Sequence, residues 1–370
     1  MKYYIVAGEA SGDLHGSNLM KALYKEDPKA DIRFWGGDLM LAVGGTLVTH
    51  YKERSFMGFA EVIGNLRKVL GFIKSCKKDI AEFNPDVIIF IDNSGFNLRI
   101  AKWAKSEGFK THYYISPQVW ASRAGRIKKI KRDIDAMYTI LPFEKEFYDG
   151  YDYKVNFVGH PLIDAVSNRE LVNETKFRKA HSLNTKPIIA LLPGSRKQEI
   201  KKMLNVMLSV VDDFEDYQFV IAGAPSQDFS FYKSIIQNRD IAFVDNKTYD
   251  LLSISFAALV TSGTATLETA LFKVPQVVCY KAGNISYQIA KRIITLKFIS
   301  LVNLIMDREV VIELIQDDLN TRRLKKELAL ILNPEKREQL FIDYFELEQK
   351  LGGKGASENA AKLIVEAVKK

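Results

Sequence analysis

The sequence predicts an α/β protein made of two doubly wound parallel-sheet domains. Short continuous apolar runs such as Val87–Ile91 and Ile188–Leu192 mark strands covered on both faces, as in parallel sheets. Helical patterns alternate with these runs through most of the chain. The alternation then restarts near residue 166, after Gly159-His160-Pro161 and a polar stretch from Ser167 to Thr185. A length of 370 residues, at roughly 100–200 per domain, agrees with two domains.

Taken in order, Tyr3–Ala7 is a buried strand and Leu14–Tyr24 its helix. Val87–Ile91 follows, with the helix Asn97–Ser106. Thr111–Ile115, Met137–Leu141 and a short strand Asn156–Val158 complete a first domain over 1–166. Ile188–Leu192, the helix 197–211, Phe219–Ala222, Ile241–Val244, Ala258–Thr261 and Val277–Tyr280 fill a second over 167–340. After Asp317 the pattern is helical and charged. Residues 341–370 read as a helical tail, packing on the first domain or swapped in a dimer, with Leu351–Ala356 as a glycine-rich hinge before a last helix, Glu358–Val368.

Apolar residues are 47% and charged residues 26%, which excludes a disordered chain. The net charge of +8 suits an anionic partner. Two cysteines, Cys76 and Cys279, sit in no CxxC or His/Cys cluster, so zinc and a disulfide framework are disfavoured. No apolar run of about 18 residues exists, and the start lacks a signal-peptide pattern. A cytosolic protein, able to touch a membrane from outside, is the expectation.

Ligands of open α/β sheets lie beyond the carboxyl ends of the strands, so the turns there carry the functional reading. Gly8-Glu9-Ala10-Ser11-Gly12-Asp13 opens the first helix: a ligand turn, or an ordinary one capped by Ser11 or Asp13. Asp92 directly follows the apolar strand Val87–Ile91. Burial there would raise its pKa and suit it to general-base work, the other reading being a turn acid. Gly194-Ser195-Arg196 offers backbone N–H groups and a guanidinium to a phosphate, or is a capped helix with a surface arginine. Thr261-Ser262-Gly263-Thr264 suits a diphosphate, and Glu268, one turn on, suits both hydroxyls of a ribose, the other reading being an N-capped helix with an exposed acid.

The stretch Phe56–Ile73 is apolar: Phe56, Met57, Phe59, Val62, Ile63, Leu66, Val69 and Leu70, with Arg67, Lys68, Lys74, Lys77 and Lys78 nearby. It fits an interfacial element on anionic lipid, or a helix burying that stripe in its own core. Asp133-Ile134-Asp135 precedes a strand, at the wrong edge for a ligand, and reads as surface charge.

These turns, with Glu61-Val62, His112-Tyr113, Ser116-Pro117, Val119-Trp120-Ala121, Leu141-Pro142-Phe143-Glu144-Lys145, Gly159-His160 and Ser300-Leu301, resemble the lipid-A-disaccharide synthase family in order from residue 3 to about 345. The resemblance implies a GT-B fold, two Rossmann-like domains facing a cleft. It implies an inverting glycosyltransferase joining UDP-2,3-diacylglucosamine to 2,3-diacylglucosamine 1-phosphate (lipid X). The products would be the β-1,6 lipid A disaccharide 1-phosphate and UDP. No metal, cofactor or nucleic acid is expected. Peripheral attachment to the inner face of the inner membrane and a C-terminally swapped homodimer are implied.

By that likeness Asp92 matches the catalytic acid, with Arg196 beside the leaving group. Gly194, Ser195, Arg196, Ser262, Gly263, Thr264 and Glu268 match the UDP-sugar site. Glu9, Ser11, Gly12, Asp13, Ser116, His160, Asn303 and Arg308 are further cleft candidates. Gly95 stands where the family often has a second acid, and Gln118 and Ser122 depart from its Ser-Pro-Ser-Val-Trp-Ala-Trp. Rival readings are a UDP-sugar epimerase, a transferase on another lipid acceptor, and a non-catalytic nucleotide-binding module on membranes.

Overall fold

The computed structural model describes residues 1–53, 66–122, 124–225, 227–283 and 296–369. The chain forms two compact units: Met1–Asp164 with Leu351–Lys370, and Ala165–Lys350.

The first unit runs β1 (Lys2–Ala7), α1 (Ala10–Glu26), β2 (Asp31–Gly36), α2 (Asp38–Val43), β3 (Thr46–His50), α3 (Leu66–Phe83) and β4 (Val87–Ile91). It continues with α4 (Ser94–Ser106), β5 (Thr111–Tyr114), α5 (Val119–Ser122), α6 (Ile127–Asp133), β6 (Ala136–Thr139), α7 (Phe143–Asp149), β7 (Asn156–Phe157) and α8 (Pro161–Ser167). Its strands order as β3-β2-β1-β4-β5-β6-β7. All are parallel, in registers such as Ala7↔Ile91. The order reverses between β1 and β4, so the turns after these strands flank the switch point.

In the second unit α9 (Glu174–Ala180) precedes β8 (Ile188–Leu192), α10 (Lys197–Leu208), β9 (Gln218–Gly223), α11 (Phe229–Ile236), β10 (Ala242–Asp245) and α12 (Thr248–Ser253). Then come β11 (Ser255–Thr261), α13 (Thr264–Leu271), β12 (Gln276–Tyr280), α14 (Leu301–Met306), β13 (Glu313–Ile315), α15 (Thr321–Leu332) and α16 (Pro334–Lys350). The parallel order β10-β9-β8-β11-β12-β13 puts its switch point between β8 and β11.

Both units owe their sheets to strands with no exposed face. Val87–Ile91 and Ile188–Leu192 are buried at every position. The chain then returns. α17 (Ala356–Lys369) belongs to the first unit and lays Ala360, Ala361, Ile364 and Val365 on the core that holds Leu19, Met20 and Leu23 of α1. The return starts at Leu351 and not at 341, because α16 buries Leu340, Tyr344 and Leu347 in the second unit. Asp164 caps α17, accepting from the amides of Gly355 (2.7 Å) and Ala356 (3.1 Å).

Candidate active site

In the first unit, Asp92 ends β4 and turns sharply. Both Asp92 and Asn93 hold left-handed backbone, φ 46° and 41°. Such residues are sparse outside glycine, and each costs about 1–3 kcal/mol unless the surroundings over-determine it. Here they do. The buried Asn97 amide donates to the carbonyls of Asp92 (2.9 Å), Ile91 (3.1 Å) and Val6 (3.3 Å), and the Tyr113 hydroxyl also donates to Asp92. The clamp holds the backbone and leaves the Asp92 side chain accessible at the carboxyl edge of the sheet. Enough protein still crowds that carboxyl for desolvation to raise its pKa above the ordinary carboxylate value. The carboxylate of Glu9, exposed at the end of the neighbouring strand β1, raises it further.

Other first-unit candidates turn out to be engaged. Asp13 is buried and accepts from the amides of Gly37 (2.7 Å), Leu39 (3.0 Å) and Met40 (3.1 Å), capping α2. Gly12 is needed for packing, since a Cβ there would lie 3.2 Å from the Cβ of Ala7. Ser11 remains exposed. Buried Ser116 shares a 2.7 Å hydrogen bond with Tyr148. His160 is buried and neutral: desolvation, with His15 adding to it, lowers its pKa to about 3. Its Nδ1 accepts from the amide of Leu162 at 3.2 Å. It is an N-terminal cap for α8, which explains a histidine at a strand end without a ligand. Asp133 is buried and clasped by Arg132 at 2.6 Å, contrary to the surface-charge reading.

Glu144 went unnoticed as a chemical group although its motif was visible. It is 1% exposed, and burial pushes it up to about 7. Its carboxyl accepts from the amides of Leu141 (3.0 Å) and Ile140 (3.3 Å), and Ser116 and Trp120 also favour the charged form.

In the second unit, two turns stand side by side because β8 and β11 pair, Leu192 opposite Val260. Gly194 has φ 102°, and a Cβ there would lie 3.5 Å from the Thr261 side chain. Ser195 and Arg196 are exposed, and Arg196 reaches Glu199 at 3.1 Å. Neither α10 nor α13 has a side-chain N-cap. Their first turns therefore present amide N–H groups and the positive end of the helix. Gly263 has φ 146° and open space around it, and Thr264 is exposed. Ser262 is taken up structurally: its hydroxyl donates to Ile299 (2.8 Å) and its amide to Cys279 (3.3 Å). The buried Thr261 hydroxyl, at the head of the same turn, has no hydrogen-bond partner among the described residues. Burial raises the pKa of Glu268, while a 2.8 Å hydrogen bond from Tyr249 opposes the rise.

Two candidates are structural. Asn303 is fully buried. Its amide donates to Val311 (2.8 Å) and Glu313 (2.9 Å), and its oxygen accepts from the amides of Val310 (2.8 Å) and Val311 (3.0 Å). All its capacity goes into tying α14 to the strand that follows. Arg308 donates to Asp343 (3.0 Å) and Glu346 (2.9 Å) of α16.

Phe56, Met57, Phe59, Val62 and Ile63 lie outside the described residues, as does the side chain of Leu66. On α3, half-buried Val69 packs against the first unit's core beside Ile73, Cys76 and Ile80. Leu70, one residue round the helix, is 54% exposed.

The model of a family described as lipid-A-disaccharide synthetase matches residues 3–367. The chain belongs to that family. It is 39% identical to the lipid-A-disaccharide synthase of Syntrophus aciditrophicus, over 99% of this chain and 97% of that protein. It is 36% identical to that of Geobacter metallireducens, with the same two coverages. Among solved structures it resembles the UDP-GlcNAc 2-epimerase of Neisseria meningitidis bound to UDP-GlcNAc (TM-score 0.67, 12% identity, 100% and 99% of the two chains). It also resembles that of Methanocaldococcus jannaschii (TM-score 0.64, 15% identity, 99% and 100%). Those likenesses carry the fold, which is GT-B. The family assignment, at much higher identity, separates this chain from the epimerases.

Proposed function

We propose that the chain transfers a 2,3-diacylglucosaminyl group from UDP to the 6-hydroxyl of 2,3-diacylglucosamine 1-phosphate, yielding the β-1,6 lipid A disaccharide 1-phosphate and UDP. It is a lipid A disaccharide-forming glycosyltransferase, and the family match over residues 3–367 carries that reading.

The acceptor oxygen forms a bond to the anomeric carbon as the bond to the diphosphate oxygen breaks, with inversion. The hydroxyl proton passes to the Asp92 carboxylate, whose raised pKa makes it a stronger base than an ordinary aspartate. The electron pair leaves with UDP. The uncapped first turns of α10 and α13, at Gly194-Ser195-Arg196 and Gly263-Thr264, are aligned for that growing charge. One such donor is commonly worth about 3–4 kcal/mol in the transition state. Glu268 accepts the ribose hydroxyls.

Membrane attachment belongs to the proposal too. Among the described residues no helix is long and apolar enough to cross a bilayer. α3 presents exposed Leu70 among Arg67, Lys68 and Lys74, and α6 exposes Lys128, Lys129, Lys131 and Arg132. Several basic residues near an apolar side chain suit an anionic surface. A swapped homodimer stays an implication of the family likeness.

Incubation with UDP-2,3-diacylglucosamine and lipid X, following UDP release and disaccharide by mass spectrometry, tests the reaction. UDP release that requires lipid X supports the proposal. UDP binding without consumption of the donor would leave a non-catalytic module, and turnover only with a different acceptor lipid would overturn the substrate assignment.

A further inference from the structure

Glu268 does not stand alone. Tyr249, at the start of α12, donates its hydroxyl to Glu268 Oε1 at 2.8 Å from α13. The strands that lead into these helices, β10 and β11, are separated in the sheet by β9 and β8. The hydrogen bond therefore joins two separate connections. Both helices feed the same core, α12 through Leu251 and Leu252, α13 through Ala265. The Tyr249 ring rests on Phe272 with centroids 5.2 Å apart, which limits its rotation. Desolvation and the adjoining Glu268 raise the phenol's pKa, so it stays a hydrogen-bond donor.

The consequence for Glu268 is specific. A carboxylate has about four lone-pair sites, and Tyr249 uses one. The remainder suffices for two vicinal hydroxyls, provided the group is ionised and held in one rotamer. Burial works against ionisation, whereas the tyrosine hydrogen bond favours it. Tyr249 also lines a hollow of about 290 Å³ with Pro225, Asn246, Lys247, Thr248 and Asp250. A ligand that fills the hollow thus meets the side chain that orients Glu268.

We propose that Tyr249 is a positioning residue that sets specificity, holding Glu268 as the preformed acceptor that selects a ribonucleoside diphosphate over its deoxy analogues. This rests on the reading of Glu268 as the ribose acid. The test is equilibrium binding of UDP and 2′,3′-dideoxy-UDP to the full chain, to Tyr249→Phe, to Glu268→Gln and to the double variant, with melting curves to confirm folding. Phenylalanine keeps the ring on Phe272 and removes only the donor.

The full chain should prefer UDP by about tenfold or more, the worth of a hydrogen bond to a charged group. Tyr249→Phe should lose most of that preference, its defect appearing in the donor KM and not in kcat. The double variant should be no worse than Glu268→Gln, since Tyr249 acts through Glu268. Equal affinity of the unaltered chain for both nucleotides would overturn the ribose reading and this inference with it. A preference that survives Tyr249→Phe, or additive losses in the double variant, would overturn the inference alone. If Tyr249→Phe does not fold, Tyr249→His decides: a retained preference supports a donor role, and a lost preference in a folded variant contradicts it.

Discussion

Asp92 is held through its backbone and left open at its carboxyl group. Asn97 and Tyr113 occupy the carbonyl, so the left-handed turn persists without using the side chain. Its titration depends on a neighbour, because the Glu9 carboxylate raises the Asp92 pKa after desolvation has done so. An enzyme that needs Asp92 ionised loses activity as pH falls through that pKa. Glu9→Gln removes the repulsion and should move the acid limb of the kcat/KM profile to lower pH. An unmoved limb would detach it from Asp92. The residue identities at both strand ends were legible in the sequence, because an acid directly after an apolar run lands at a sheet edge. The engagement of Asp13, His160 and Asn303 was not. Each is satisfied by backbone groups, up to 27 positions away for Asp13, and no local pattern announces that.

At the scale of elements, Glu144 anchors the turn between β6 and α7, and Ser116 from the loop after β5 and Trp120 from α5 favour its charged form. Its pKa is about 7 in the folded chain against 4.5 for the free group. The unfolded chain therefore binds fewer protons than the folded one between these values, and stability falls as pH rises through the window. The cost is about 3 kcal/mol once Glu144 is fully ionised. Melting of Glu144→Gln against the parent should show an advantage for glutamine that grows from pH 4.5 to 7 and then stays flat. An advantage independent of pH would contradict the buried, proton-holding carboxyl. Elements buried on both faces were visible in the sequence. β2 was not, because Asp31 and Arg33 interrupt its apolar pattern, and Arg33 is there to meet Asp79 at 2.9 Å. β3 is a half-exposed edge strand, and α9 hides in a polar stretch with Phe177 as its buried residue.

For the whole molecule, the chain begins and ends in the same unit. The two-sheet architecture was legible from the restart of strand–helix alternation. For the terminal helix two placements stayed open in the sequence, on the first domain or swapped in a dimer, since an amphipathic terminal helix does not say which core it covers; in the structure α17 belongs to the first unit. Gly352 marks the crossing: with φ 89°, a Cβ there would lie 3.1 Å from the Cα of Gly159. Ile364 is fully buried beside α1. Ile364→Ala should cost about 2–5 kcal/mol. Hydrogen exchange should speed up in β1 and α1 while β8 and β11 keep their protection. Equal loosening of both units would contradict the division.

In the proposed transfer Asp92 takes the proton from the acceptor hydroxyl. Single-turnover transfer by Asp92→Asn, alongside its affinity for UDP, tests this most directly. UDP affinity should be unchanged and transfer slower by about 100-fold or more. Transfer near the parent rate in a folded Asp92→Asn protein would contradict it.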